Sequence, residues 1–285
     1  MAVPPIIDFR MSDLEEYAKK IIHQSKAVTG VQSKLSVQLE RKKEHPSRIT
    51  IVGMQGDYIL KPPSTQFEEL PQNEDLTMHL ASLAGIQTAQ HTLIRLLSGE
   101  LAYLTKRFDR LKGEKKAVED FCQLSENLTE HKYRGSIEMI GRISHKYTTN
   151  KGLESQRLFE IVLFYYLTGN ADMHLKNFSL MENELGEYQF APFYDLVNTQ
   201  VAMPEDTEES ALTINAKKKK LKIKDFDVLA NSLKINEKSK IAIYQRFENI
   251  LPTWFDFIDQ SFLSQELIEL YKKVVSERHV KLFQV

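Results

Sequence analysis

The chain has 285 residues, of which 42% are hydrophobic and 27% are charged, and its formal net charge is −1. This composition is typical of a globular protein with one large domain or two lobes. The near-zero net charge argues against a dedicated nucleic-acid-binding protein. The single cysteine, Cys122, excludes a disulfide framework and a cysteine-based zinc site. Because the first residues lack a signal-peptide pattern and no apolar run reaches membrane-spanning length, we expect a cytoplasmic protein without a membrane partner.

The first hundred residues are rich in strand patterns, in which apolar residues alternate with polar ones. Predicted strands cover LSVQLE, RITIVG, DYILK, HTLIRLL and ELAYLTKRF. A helix is predicted between the third and fourth strands, in NEDLTMHLASLAG, where three leucines share one face. Asn73 is the expected cap of this helix and Gly85 the expected stop.

From about Val118 onward the pattern is mostly helical. Predicted helices cover VEDFCQLS, GSIEMIGRIS, QRLFEIVLFYYL, KDFDVLANSL, KSKIAIYQRFENIL and SQELIELYKKVVSE. A small sheet lobe with one helix, followed by a larger helical lobe, is the two-lobed α+β plan of a protein kinase. We place the N-lobe at residues 1–105 and the C-lobe at residues 106–285, and expect the ligand in the cleft between them.

A cluster of polar residues follows the most apolar predicted helix. The run LFEIVLFYYL predicts a buried helix, which the Gly–Asn pair after it should end. Asp172, His174, Lys176 and Asn177 then lie on a loop attached to rigid structure, where catalytic groups are often found. A polar loop with ordinary turns would contain similar residues, so this loop alone leaves both interpretations open.

The spacing of other residues favours kinase chemistry. Asp172 and Asn177 are separated as the base and the metal-binding amide of a kinase catalytic loop are. Asp195, after the strand-like EYQFAPF, has the position of the second metal ligand, and oxygen ligands of this kind suit Mg²⁺. Lys61 ends a strand and Glu74 lies on the next helix, an arrangement that fixes a phosphate-binding ammonium in kinases.

These features together resemble the HipA-like serine/threonine kinases, which are toxins of bacterial toxin–antitoxin systems. The matching stretches are TGVQSKLSV, YILKPP, PQNE, LTKRFDR, GNADMHLKNFSL, APFYDLVNT and ALTINAKKKKLK. The resemblance implies that Asp172 is the catalytic base and that Asn177 and Asp195 hold Mg²⁺. It implies that Lys61, oriented by Glu74, holds the phosphates of ATP. Further ATP contacts implied by the resemblance are the phosphate loop Thr29, Gly30, Val31, Gln32, Ser33 and Lys34, the hinge Lys106, Arg107 and Phe108, and also His174, Lys176 and Tyr194.

The resemblance also implies a biological role. The chain would be the toxin of a HipBA/HipBST-type system, would phosphorylate an aminoacyl-tRNA synthetase, and would thereby inhibit translation, as in persistence. A HipB-like helix-turn-helix antitoxin would be its partner and its indirect link to DNA. Because only residues 1–27 precede the phosphate loop, the chain resembles the short HipT-type kinases, whose N-terminal subdomain is a separate HipS-like protein.

Members of this family autophosphorylate a serine in or beside the phosphate loop. In the HipT-like pattern two serines precede the glycine, whereas this chain has Ala27 and Thr29 at those places. Thr29, Ser33 and Ser36 are therefore all candidates for the modified residue.

Two other functions remain open at this point. A small-molecule phosphotransferase of the aminoglycoside type shares the Asp–Asn spacing, although enzymes of that type lack the sequence motifs VQSKLS and FYDLVNT. A catalytically silent ATP-binding scaffold in an antitoxin–DNA complex would keep the fold and lose the reaction. Self-labelling by ATP would favour the protein kinase over both.

Overall fold

The computed structural model describes residues 5–14, 16–17, 33–40, 47–52, 56–111 and 114–284. The chain divides into two compact units. The first unit comprises residues up to Asp75 together with Ala89–Arg110, and the second comprises Leu76–Thr88 and the chain from Leu111 onward. Among the helices of the described ranges, none is long and apolar enough to cross a membrane.

The first unit contains an antiparallel five-stranded sheet. Its strands are β1 Leu35–Glu40, β2 Arg48–Ile51, β3 Tyr58–Lys61, β4 His91–Arg95 and β5 Leu101–Lys106, in the order β2-β1-β3-β5-β4. Alternate residues of β1, Leu35 and Val37, are buried with Leu60, Ala102 and Leu104 in one apolar cluster. The five strands that the alternating pattern predicts are therefore confirmed, because one face of each strand lies in the core.

Helix α1 covers Leu70–Leu83 and begins earlier than the sequence pattern predicts. Asn73, the predicted cap, lies inside the helix and is 1% exposed, so that prediction is wrong. The earlier start is compatible with Pro71, since a first-turn residue needs no intrahelical N–H donor. Gly85 follows the helix with a φ of +81°, as expected of a glycine stop.

The second unit is mainly helical. Its helices are α2 Phe121–Leu124, α3 Ile137–Tyr147, α4 Lys151–Leu167, α5 Thr199–Ala202, α6 Ile223–Ser232, α7 Glu237–Asn249, α8 Leu251–Ile258 and α9 Gln265–Phe283, with short 3₁₀ turns at Thr129–His131 and Leu175–Asn177. Five of the six predicted helices are confirmed, and the segment predicted from KSKIAIYQRFENIL continues into a second helix. This break coincides with Pro252, which occupies the first turn of α8.

Short strands accompany the helices. They are β6 Arg110–Leu111, β7 Glu114–Lys115, β8 Val118–Asp120, β9 Ser179–Glu182 and β10 Tyr188–Phe190, and the last three form a sheet in the order β10-β9-β8. The first part of VEDFCQLS is thus a strand, and the predicted helix is reduced to one turn. The reason is local, because the Asp120 side chain accepts a hydrogen bond from Gln123 N and caps α2 only after the strand has ended.

Helix α4 lies in the core of the second unit. From Ile161 to Leu167 every residue is buried, which confirms the predicted buried helix. Phe164 meets Trp254 edge-on at 5.6 Å between ring centroids, and Tyr166 meets Phe226 at 5.1 Å. The end of α4 is therefore surrounded by aromatic rings, which fixes the point from which the following loop leaves.

Gly169 makes the turn that follows α4. It has a φ of +70°, the left-handed region that favours glycine. A Cβ atom at this position would lie 2.7 Å from Val274 Cγ1 and 3.0 Å from Asn198 Oδ1. The Gly169 carbonyl accepts hydrogen bonds from Gln200 N and from the Thr199 hydroxyl, both at 3.1 Å. No larger residue fits here without moving the loop or α9.

We predict that Gly169→Ala lowers the free energy of unfolding by about 3 kcal/mol, because the left-handed backbone costs an alanine about 1–2 kcal/mol and overpacking adds about 1–3 kcal/mol. The matched control is Gly152→Ala on α4, where a Cβ atom would meet nothing within 4 Å, and stability should be unchanged or raised by up to about 1 kcal/mol. Urea unfolding followed by the fluorescence of the single tryptophan, Trp254, measures both variants. Equal stability of the two variants would contradict the assigned role of Gly169.

Candidate functional site

A buried ion pair lies in the first unit. Lys61 Nζ on β3 donates to Glu74 Oε1 on α1 at 2.5 Å, and the two side chains are 4% and 3% exposed. The ammonium also lies 5.4 Å from the centroid of the Tyr103 ring. A buried ammonium is costly unless it is paired, so this pair is held where both charges compensate each other. The structure thus pairs the two residues, and their role towards a nucleotide stays a prediction.

In the second unit, the loop that follows α4 is held by hydrogen bonds at its first residues. Asn170 Oδ1 accepts from Asp172 N at 3.0 Å, and the Thr199 hydroxyl accepts from Ala171 N at 2.8 Å. The carbonyl of Asp172 accepts from His174 N at 2.8 Å. The backbone of Asp172 is therefore fixed on both sides by short-range bonds. We call the segment 169–178 the catalytic loop from here on, after its predicted role.

The Asp172 side chain has a partner that the sequence pattern did not indicate. The Tyr133 hydroxyl donates to Asp172 Oδ1 at 2.7 Å, across 39 positions of sequence. Partial burial raises the pKa of Tyr133, and the hydrogen bond to Asp172 and its negative charge raise that pKa further. The phenol is therefore protonated at neutral pH and acts as a donor towards the carboxylate.

The charges of two carboxylates act on the buried His174. This residue is 7% exposed. Burial lowers the pKa of His174, while the charges of Asp172 and Asp195 act in the opposite direction. The ring is therefore neutral at pH 7, and in the described part of the chain its buried Nδ1 has no hydrogen-bond partner. The predicted base Asp172 and the predicted metal ligand Asp195 thus both influence the charge of one imidazole.

The loop that carries Asp195 is bonded to the catalytic loop. The Tyr194 hydroxyl donates to the carbonyl of Lys176 at 2.8 Å and lies 2.7 Å from Ser179 Oγ. Because a phenol has one proton, the serine hydroxyl is the donor in the second contact. Tyr194 directly precedes Asp195, and Lys176 directly precedes Asn177. One hydrogen bond therefore joins the chain neighbours of the two predicted metal ligands.

The side-chain oxygen atoms of Asn177 and Asp195 are of the kind that binds magnesium. Asn177 offers an amide oxygen and is 5% exposed. Asp195 offers a carboxylate and has a φ of +61°, which aspartate tolerates better than most residues. Mg²⁺ prefers oxygen ligands of this kind and usually keeps several waters, so two protein ligands are sufficient. Asn177 and Asp195 are the residues that would hold the ion.

Lys176 has a partner of its own. Its Nζ lies 2.6 Å from Asp120 Oδ2, and the other carboxylate oxygen of Asp120 accepts from Gln123 N at 2.9 Å. Asp120 thus caps α2 and holds the catalytic loop at the same time. The predicted contact of Lys176 with ATP stays a prediction.

The predicted phosphate loop falls largely outside the described residues. This applies to Thr29, Gly30, Val31 and Gln32. Ser33 and Lys34 directly precede β1, and Ser36 lies on it. Ser36 Oγ accepts a hydrogen bond from Gly56 N at 2.9 Å, and a Cβ atom on Gly56 would come within 2.5 Å of this oxygen. The Ser36 hydroxyl is therefore already part of the sheet contacts.

Two of the three residues of the predicted hinge make hydrogen bonds within the first unit. Lys106 ends β5 and donates its N–H to Gln90 O at 2.8 Å. Arg107 makes a bidentate pair with Asp109 at 2.9 and 2.7 Å. Burial acts to raise the pKa of Asp109, but the hydrogen bonds and charge of the guanidinium outweigh it, so the pKa is lowered. Phe108 is half-buried between these two residues. Its contact with adenine stays a prediction.

Sequence reasoning missed three residues of the site. Tyr133, Asp120 and Thr199 contact the catalytic loop by hydrogen bonds, and each lies more than twenty positions from its partner there. The capping pattern at Asp120 was the one local signal available. Thr199 ends the matching stretch APFYDLVNT, but no role was predicted for it, and the segment of Tyr133 carries no sequence signal.

Two solved structures are similar to this chain over nearly all of its length. The first is HipA of Shewanella oneidensis MR-1, solved with HipB and operator DNA, at a TM-score of 0.74 and 20% identity, covering 100% of this chain and 74% of that chain. The second is the proinflammatory kinase CtkA of Helicobacter pylori, at a TM-score of 0.61 and 16% identity, covering 88% of this chain and 94% of that one. At these identities the likeness shows the fold alone, a kinase-like two-lobed α+β fold, and the predicted fold class is confirmed.

Curated relatives agree with this fold. A candidate kinase of Sinorhizobium fredii, Y4dM, is 29% identical over 87% of this chain and 66% of its own length. The serine/threonine-protein kinase toxin HipA of Shewanella oneidensis is 29% identical over 64% of this chain and 45% of its own length. The chain thus spans about half to two thirds of the length of these relatives. The family model of the HipA-like C-terminal domain matches residues 26–254, and the chain belongs to this family, as the sequence resemblance predicted.

Proposed function

We propose that the protein is an ATP-dependent serine/threonine protein kinase. The hydrogen bond from Tyr194 to the Lys176 carbonyl carries this proposal, because it holds the Asp195 loop against the loop of Asp172 and Asn177. The predicted base for the proton of the acceptor hydroxyl and the two predicted oxygen ligands for a metal then lie on two segments that this bond joins. Membership of a family whose named relatives include kinases supports the same activity.

The reaction would transfer the γ-phosphoryl group of ATP to a serine or threonine hydroxyl and release ADP. Mg²⁺, when bound, supplies positive charge that offsets the charge of the phosphates. Asp172 orients the acceptor hydroxyl and takes its proton. The Lys61 ammonium, held by Glu74, binds the phosphate oxygens, and Asn177 and Asp195 hold the metal. Catalysis of this kind consists of positioning and electrostatic stabilisation, which fixed charges and short hydrogen bonds provide.

We propose further that the kinase is a toxin controlled by an antitoxin. The structure of the similar HipA protein contains HipB and operator DNA, which supports a HipB-like antitoxin as the partner and an indirect link to DNA. An aminoacyl-tRNA synthetase as the substrate, the resulting block of translation, and a HipS-like partner of a HipT-type kinase follow from the sequence resemblance. They are proposals that pull-down and phosphoproteomic experiments can test.

Autophosphorylation is part of this proposal. Among the three candidates, Ser36 is the least suited, because its hydroxyl already accepts a hydrogen bond from Gly56 within the sheet. Ser33 precedes the strand, and Thr29 lies outside the described residues. We therefore expect a mass gain of one phosphate on Thr29 or Ser33 after incubation with ATP and Mg²⁺.

Asp172→Asn should lower the rate of transfer from γ-labelled ATP by about 100-fold or more, because a general base contributes about 10²- to 10⁴-fold. The asparagine preserves the shape of the side chain and its contact with Tyr133, so folding should be unchanged. Asp256→Asn, an exposed aspartate on α8, is the matched control. Transfer by Asp172→Asn at the rate of the control would refute the role of the base.

Asp195→Asn should raise the Mg²⁺ concentration needed for half-maximal activity and lower the maximal rate by about 100-fold or more, because one of the two metal ligands loses its charge. The substitution keeps the left-handed backbone, which asparagine also tolerates. A magnesium titration of ADP formation measures the effect, and chelation by EDTA should stop wild-type transfer completely. A titration curve like that of the wild type would exclude Asp195 as a ligand.

Two variants distinguish the contribution of the Lys61–Glu74 pair to stability from its predicted role in ATP binding. Glu74→Leu alone should lower stability by about 3–5 kcal/mol, because it leaves the ammonium buried without its carboxylate. The double variant Lys61→Met/Glu74→Leu should be within about 1–2 kcal/mol of the wild type, since apolar side chains can replace a buried pair, yet it should not bind ATP productively. Thermal unfolding and ADP formation test this; a double variant that retains activity would show that Lys61 does not serve the nucleotide.

A further inference from the structure

The proposed reaction gives Asp172 the role of base but gives no role to Tyr133, which donates a hydrogen bond to it. We propose that Tyr133 is a positioning residue for Asp172: its hydroxyl holds Oδ1 of the carboxylate and leaves Oδ2 to take the proton of the acceptor. This inference rests on the proposed function, in which Asp172 is the base.

The first argument is the isolation of the carboxylate. Within the described ranges, the bond from Tyr133 at 2.7 Å is the one hydrogen bond that the Asp172 carboxylate receives. The bond that Asp172 N donates to Asn170 Oδ1 and the bond that the Asp172 carbonyl accepts from His174 N fix the backbone of Asp172 and leave its side-chain torsions free. Without Tyr133, the carboxylate would be oriented by its backbone and by electrostatics alone.

The second argument is that Tyr133 is itself held in place. The carbonyl of Lys132 accepts a hydrogen bond from Leu175 N in the catalytic loop at 3.0 Å. The Tyr133 ring meets the His174 ring edge-on at 5.2 Å between centroids. The Lys132 ammonium lies 5.0 Å from the centroid of the same ring. Tyr133 is thus held by contacts with the loop whose carboxylate it binds.

The third argument concerns the proton. A phenol that lost its proton would repel the carboxylate. A tyrosine hydroxyl is already protonated at physiological pH, because its ordinary pKa is about 10, and burial and Asp172 raise the pKa of Tyr133 further. A donor that stays protonated can hold one oxygen of the base without accepting the proton that the base removes. The acceptor hydroxyl then meets a carboxylate of fixed direction, which is the condition for efficient proton transfer.

The test compares Tyr133→Phe with Tyr147→Phe. Tyr147 is a close match, because it is 42% exposed against 44% for Tyr133 and its ring also lies next to the ammonium of the preceding lysine, at 4.7 Å. ADP formation is measured at saturating ATP and Mg²⁺, so that transfer to any acceptor is counted. We expect Tyr133→Phe to lower kcat by about 10- to 100-fold, with the KM for ATP within about twofold and the Tm unchanged, and Tyr147→Phe to behave as the wild type.

The alternatives give different results. If Tyr133 blocked the acceptor position, Tyr133→Phe would raise kcat, and if the contact were incidental, kcat would not change; either result overturns the inference and leaves the proposed function intact. If Tyr133 were itself the acceptor, peptide mapping of the wild-type protein after incubation with ATP would find the phosphate on Tyr133, which also overturns it. A wild-type protein that forms no ADP would remove the proposed function, and the inference with it.

Discussion

The structure of the candidate site depends on how the end of helix α4 is fixed in the core. Aromatic rings surround its last two turns, and the left-handed turn at Gly169 then sends the chain past α9 and towards α5. The geometry of this turn allows no side chain, so the direction of the catalytic loop is set before any catalytic residue is reached. The polar residues that follow can be placed accurately because the apolar helix before them cannot move.

Hydrogen bonds complete what the turn begins. Asn170 and Thr199 bind the backbone of the loop, Tyr194 binds its far end, and Asp120 binds the side chain of Lys176. Asn170 and Thr199 are buried, so an unsatisfied polar group would be costly there, while Tyr194 and Asp120 are half-buried. The loop is therefore overdetermined, which is the structural requirement for a base and metal ligands that must act without rearrangement.

Charge compensation follows the same rule in both units. Lys61 and Glu74 are buried together in the first unit, and Arg107 with Asp109 stiffens the segment after β5. In the second unit His174 is kept neutral by burial, although two carboxylates act on it. A neutral imidazole adds no positive charge beside Asp172 and Asp195. This is compatible with the proposal that a divalent ion binds there.

The sequence by itself determined the strands of the first unit, most helices of the second, the buried nature of α4 and the family, because periodicity and local motifs depend on neighbouring residues. The helix predicted from VEDFCQLS is largely wrong, because its first residues form β8 and pair with β9. The cap predicted at Asn73 is wrong, because this residue is buried inside the helix. Only the tertiary structure decided which distant side chains reach the catalytic loop. Tyr133, Asp120 and Thr199 each lie more than twenty positions along the chain from their partners in the loop. Their approach to the loop depends on helix packing and strand pairing, which local patterns in the sequence do not predict.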